Sequence, residues 1–121
     1  MATRETWKKR IRKWCEAAGT YKPFFGGAID TLSRIMERRD LAIEQFEESG
    51  GELVVEHTNK GGATNLEKNP AYEIIRQCEN DALAYWRDLG LTPAGLKKIN
   101  EQAIRAQKLS PLAAALKELG E

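Results

Sequence analysis

Six cations fall within ten positions near the start of the chain: Arg4, Lys8, Lys9, Arg10, Arg12 and Lys13. Such density suits neutralisation of phosphate, which asks for closely spaced positive charge more than for a fixed geometry. A second basic group, Lys97 and Lys98, stands with Asn100 and Gln102 shortly after Thr92-Pro93, where the side chains can reach phosphates or base edges. Bond-making chemistry has no comparable support. The sole histidine, His57, sits beside Glu56 with no nearby Cys nucleophile and no second His for a metal. Cys15 and Cys78 are far apart and lack metal-ligand spacing. Both lie among helix-forming residues, where cysteine serves as a small apolar filler. The carboxylates are scattered, and most neighbour Lys or Arg at helical spacing, the pattern of solvated faces. Asn59 to Thr64 contains glycines but lacks the strand, glycine loop and Lys-Ser/Thr order of a phosphate cradle. These residues predict a binding protein rather than an enzyme, with no metal or other cofactor.

Charge is distributed unevenly. The 121-residue chain has a formal net charge of only +1. Residues 1–39 hold ten Lys/Arg against four Asp/Glu, a balance of +6, and residues 40–121 hold nine against fourteen, a balance of −5. The asymmetry predicts a basic arm for an anionic partner, carried on a mildly acidic body. No apolar run approaches the roughly 20 residues a membrane helix needs, and no apolar signal core follows the basic start. A cytoplasmic protein with no membrane partner is the expectation. A reducing compartment argues against a Cys15–Cys78 disulfide.

The elements that must position these groups are mostly helical. Thr6 is a candidate cap for a helix ending at Gly19, with Trp7, Ile11, Trp14, Cys15 and Ala18 on one face. The next helix spans about Ala28 to Glu48. Its apolar row Ile29, Leu32, Met36, Ile43 and Phe46 is spaced by threes and fours but interrupted at Arg39, and that spacing suits packing within or between chains. Asp40 offers a fresh cap if the helix breaks there. Leu53-Val54-Val55 has strand character, Asn59-Lys60-Gly61-Gly62 reads as a turn, and Ala63 to Leu66 as a short return strand. One hairpin cannot stand alone, so it is expected to pack on helices or pair with another chain.

Asn69-Pro70 opens a strong helix with Tyr72, Ile75, Cys78, Ala82, Trp86 and Leu89 as its stripe, ended by Gly90. Thr92-Pro93 starts another, with Leu96, Ile99 and Ala103 inward, and Ser110-Pro111 repeats that start signal for a last helix. The Gly90 turn between two helices admits a helix–turn–helix DNA-binding regulator. Trp86, at a place that usually needs a small residue, and the length of the preceding helix favour two antiparallel core helices instead. The expected division is a basic N-terminal helix over 1–20, a helical core with a hairpin near 52–66 over 21–106, and a C-terminal helix or tail over 107–121.

Taken in order, Leu53-Val54-Val55-Glu56, Asn59-Lys60-Gly61-Gly62, Asn69-Pro70-Ala71-Tyr72 and Leu89-Gly90-Leu91-Thr92-Pro93-Ala94 resemble a phage terminase small-subunit family. The resemblance extends over roughly residues 21 to 105. Where many relatives carry an Arg shortly after the Leu-Thr-Pro segment, this chain has Gly95-Leu96. The resemblance implies a mainly α fold assembling as a homo-oligomeric ring. It further implies binding of double-stranded viral DNA and regulation of a large subunit that holds the ATPase and nuclease, in the host cytoplasm. Under that reading Arg4, Lys8, Lys9, Arg10, Arg12, Lys13, Lys97 and Lys98 are the DNA-binding candidates, and Ile29, Leu32, Met36, Ile43 and Phe46 the oligomerisation candidates. A transcription regulator, and a structural adaptor whose basic arm binds acidic protein, remain the alternatives.

Overall fold

The computed structural model describes residues 2–119, and the side chains of all of these except 110–114 and 117–118. Helix α1 (Arg4–Ala18) is followed by a 3-10 turn at Pro23–Phe25 and by α2 (Gly26–Glu48). A hairpin of β1 (Val54–Thr58) and β2 (Thr64–Lys68) leads into α3 (Pro70–Asp88) and α4 (Pro93–Leu119). The mainly helical class with one short hairpin is as the sequence predicts.

Three helices make the core. Trp7, Ile11 and Cys15 recur every four residues on α1 and are buried against Ile29, Leu32 and Met36 of α2, with Ala82 of α3 and Leu89 at its C-cap closing the cluster. Thr3 rather than Thr6 caps α1: its hydroxyl accepts from the Thr6 N–H at 3.3 Å, and the helix begins at Arg4. Gly19, at φ +75°, ends it in the left-handed conformation that glycine adopts without steric penalty. The buried hydroxyl of Thr20 then donates to the Leu89 carbonyl at 2.7 Å, tying the end of α1 to the end of α3. The first twenty residues are thus part of the core and not a separate arm.

Helix α2 runs unbroken through Arg39-Asp40. Asp40 does not cap a new helix, because its carboxylate is engaged sideways. It accepts from the Trp7 indole N–H at 2.8 Å and from Arg39 at 3.1 Å. The apolar row expected to face another copy is largely used up within the chain, since α1 covers Ile29, Leu32 and Met36; only Ile43 and Phe46 stay half-exposed.

The hairpin has the expected turn but longer strands. Val54 pairs with Lys68 and Thr58 with Thr64. The Asn59 side-chain oxygen accepts from the Gly61 and Ala63 N–H groups, and Gly62 takes φ +84°. No helix covers it: nine of its ten strand residues are exposed and Val55 is half-buried. The hairpin is held at its root, where the buried Asn69 caps α3 through the Ala71 N–H and donates its amide hydrogens to Ser49 Oγ and to the Glu52 carbonyl, each at 2.9 Å.

The last two helices depart most from expectation. Ser110-Pro111 does not open a new helix, and α4 runs through it as one element. Proline removes one N–H from a helix interior, but strong helix formers on both sides (Ala, Leu, Lys, Gln) carry the chain across. Leu96 and Ile99 are half-buried against the body as predicted, whereas Ala103 is exposed. Gly120 and Glu121, part of the expected tail, lie outside the described residues.

Candidate nucleic-acid interface

Packing α1 on α2 divides the N-terminal cations into two sets. Arg4 and Lys8 border the buried stripe and turn toward α2. Asp30 stands there, 3.8 Å from Arg4 Nε and 3.4 Å from Lys8 Nζ, and also 3.5 Å from Arg34 Nε on its own helix. Glu37 adds a second tie, accepting from the Arg4 backbone N–H at 2.6 Å. A shallow hollow of about 540 Å³ beside it is lined by Arg4, Arg34, Glu37, Arg38 and Leu41. Lys8 lines a second hollow of about 250 Å³, with Lys9, Arg12 and Tyr21. Cations therefore follow the α1–α2 seam from Arg38 through Arg34, Arg4 and Lys8 to Lys9 and Arg12, interleaved with Glu5, Glu16, Asp30 and Glu37.

Lys9 and Arg12 stand at the exposed end of the seam, whereas Arg10 and Lys13 face away from it. Arg10 lies over the Trp7 ring at 5.3 Å, and Arg39 of α2 also approaches that ring, at 5.7 Å. Lys13 and Lys9 are exposed, with no ion pair among the described residues. Arg12 stacks over Tyr21 at 4.8 Å, and its hydrogen bond to Glu16 raises an already high pKa, so its charge is permanent. The tryptophans fall on the opposite border. Trp7 is buried, and Trp14 stays 45% exposed, edge-on to Trp7 at 6.3 Å and tilted against Trp86 at 6.1 Å. Packing between helices, not base stacking, accounts for Trp7.

Lys97 and Lys98 are about 85 positions away in sequence from the N-terminal cluster and sit on the exposed side of the first turns of α4. Lys98 borders a hollow of about 360 Å³ with Arg87, Asp88, Gly95 and Gln102. Gly95 explains how α4 approaches α3 so closely. A Cβ there would collide with the Arg87 carbonyl, so the small residue the crossing needs lies after the turn rather than before it. The structure thus presents two basic surfaces, the α1–α2 seam and the root of α4.

Among the described residues no three His, Cys, Asp or Glu side chains come together as a metal site, and no helix is long and apolar enough to cross a membrane. Burial raises the thiol pKa of both Cys15 and Cys78, which holds them in the unreactive protonated form.

A family model described as phage terminase, small subunit, matches residues 3–105. The chain belongs to that family. The match begins at the cap of α1, so the family pattern includes the first helix, contrary to the start near residue 21 expected from the motifs. It ends within α4, ahead of Leu109. Comparison with curated proteins and with solved structures returned no match. Sequence reading missed Arg34 and Arg38. Their signal was present: Asp30, Arg34 and Arg38 recur at i, i+4 and i+8, which aligns them on one face of α2.

Proposed function

We propose that this terminase small subunit binds double-stranded viral DNA through the cations of the α1–α2 seam. In this reading it works as a homo-oligomeric ring in the host cytoplasm and regulates the large subunit that cuts and drives the DNA, catalysing nothing itself. On the same reading Asn69-Pro70 and the Leu89–Pro93 segment, here a helix cap and a tight turn, are marks of the family. The observation that carries it is the run Arg38, Arg34, Arg4, Lys8, Lys9 and Arg12 along one seam of a family member. A ring would present that seam once per subunit, so weak individual phosphate contacts would sum by avidity.

One observation favours a second reading. Gly95 lets α4 cross close to α3, and Lys97 and Lys98 face solvent just beyond the turn, the arrangement of a helix–turn–helix regulator. A single experiment separates the two. Lys8, Lys9, Arg12 and Arg34 are changed to Ala in one variant, and Lys97 and Lys98 in another. DNA binding is then measured across a salt series, after confirming that both variants keep the wild-type mass. Each lost phosphate contact lowers the salt slope by roughly 0.9. The seam reading expects the first variant to lose affinity and slope while the second keeps both. The reverse result assigns DNA to α4.

A further inference from the structure

Helix α4 is rooted on the body by its first two turns and then leaves it. Its 27 residues span about 40 Å, and every residue from Asn100 to Leu109 is exposed. Apolar side chains are nonetheless placed along it. Leu109 is 62% exposed, Leu116 60% and Leu119 83%, and their spacing of seven and three puts them on one helical stripe. That stripe is turned away from the residues that seat α4 on α3. A solitary helix of this length is marginal in water, and tertiary packing of its apolar face supplies most of its stability.

An acceptor of matching form lies elsewhere on the chain. Between α2 and α3 runs a groove of about 330 Å³ lined by the apolar Leu41, Ala42, Ile74 and Cys78 and by polar neighbours that include Arg38 and Asp81. Leu41 and Ile74 remain 42% and 39% exposed. Its α3 wall runs from Ile74 to Asp81, two turns or about 10 Å, which is also the rise from Leu109 to Leu116. Charge complements shape. Residues 40–92 hold four Lys/Arg against eleven Asp/Glu, a balance of −7, whereas residues 93–121 hold five against three, a balance of +2. Two cationic α4 helices would repel each other, and each would be attracted to the acidic middle of another subunit.

We infer that the leucine stripe of α4 docks into the α2–α3 groove of a second copy of this chain. The contact is head-to-tail, which closes into a ring if the rotation between copies allows. It rests on the proposal that the protein is a homo-oligomer and names the surfaces that join it.

Native mass measurement of full-length protein at micromolar concentration tests this. One variant carries Leu109→Glu and Leu116→Glu, and another carries Ile74→Glu in the groove. Each is checked for wild-type helix content by circular dichroism, with Leu41→Glu as the replacement should Ile74→Glu unfold. Wild type is expected to form a closed oligomer, and each variant alone to run as a 13.6 kDa monomer. Mixed in equal amounts, the two retain one intact α4 and one intact groove, so they form a heterodimer and nothing larger. A wild-type-sized oligomer from either folded variant alone, or a mixture that stays monomeric, would overturn the docking while leaving the oligomer reading intact. A wild-type monomer would overturn both.

Discussion

Helices α1 and α4 begin with similar materials and end in opposite situations. Each mixes Lys and Arg with apolar residues, and each follows a Thr that caps it. In α1 the large residues Trp7, Ile11 and Cys15 recur every four positions, and α2 meets them with Ile29, Leu32 and Met36, so one face is fully buried. In α4 the body-facing stripe gives out after Ile99, and the leucines that follow occupy a different side of the helix. The contrast teaches that an apolar stripe is placed by its angular continuity with the neighbouring core, not by its hydrophobic content. Where continuity fails, the helix continues into solvent and its apolar side chains stay exposed.

The largest expected effect lies in the sharpest form of this contrast. Ile11 is fully buried and Ile104 is half-exposed, although both are isoleucines on cationic helices. Ile11→Ala should destabilise the chain by about 2–5 kcal/mol, the transfer and cavity terms together. Ile104→Ala should stay within about 0.5 kcal/mol, as for other surface positions. Urea melts at low protein concentration measure both. Equal losses would mean that α4 is packed against the body and that the contrast is false.

A middle-sized effect is expected where α4 is seated. Because a Cβ at Gly95 would collide with the Arg87 carbonyl, Gly95→Ala should force the two helices apart and cost about 1–3 kcal/mol as an overpacking change. Ala94→Gly next to it, at an exposed position, should cost less than about 1 kcal/mol through helix propensity alone. Melts of the pair show whether the first turns of α4 are its whole anchorage.

Much of this arrangement was legible in the residues. The every-fourth-residue stripe of α1, the Asn69-Pro70 start, the Asn59–Gly62 turn and the end of α3 at Gly90 are local signals, and each is set by chemistry within a few positions. What escaped depends on partners distant in sequence. The row Ile29, Leu32 and Met36 looks available for another chain until α1 is known to lie on it. Arg4 and Lys8 look free until Asp30 is found across the interface. Asp40 resembles a cap because nothing local shows that Trp7 reaches it. Ser110-Pro111 misled for the converse reason: a local start signal was outweighed by helix propensity on both sides. The same limit applies to the candidate site. The cations were readable, but the seam that groups some of them with Arg34 and Arg38 was not.

A smaller effect reports how tightly α1 is held. Burial raises the Cys15 thiol pKa, so the folded state holds that proton more tightly than the unfolded state does. The associated stability is fully present below the unfolded thiol pKa of about 8.5 and is lost as pH rises from there through the higher folded value. Wild type should therefore lose stability across this range more steeply than Cys15→Ala, which lacks the group. Urea midpoints at pH 7.5 and about 9.5 test this. Parallel behaviour of the two proteins would mean that Cys15 ionises as freely folded as unfolded, and that α1 is not clamped at its middle.

The finest distinction concerns charge. On α1 the cations Arg4 and Lys8, with Arg34 of α2, converge on Asp30 at 3.4–3.8 Å. At the root of α4, Asp88 shares a hollow with Arg87 and Lys98. If DNA lies along the α1–α2 seam, Asp30 competes with phosphate for three cations, and Asp30→Asn should release them. The expected result is tighter DNA binding and a steeper salt slope, by roughly 0.9 for each additional phosphate engaged. Stability should fall by no more than about 1 kcal/mol, because these ion pairs are partly solvated. Asp88→Asn should leave both binding parameters unchanged. Should Asp88→Asn steepen the slope while Asp30→Asn does not, phosphate lies at the root of α4, and the clamped helix serves the core alone. Should neither change it, neither carboxylate borders the bound phosphate, and the contacts fall on exposed cations such as Lys13, which has no ion pair among the described residues.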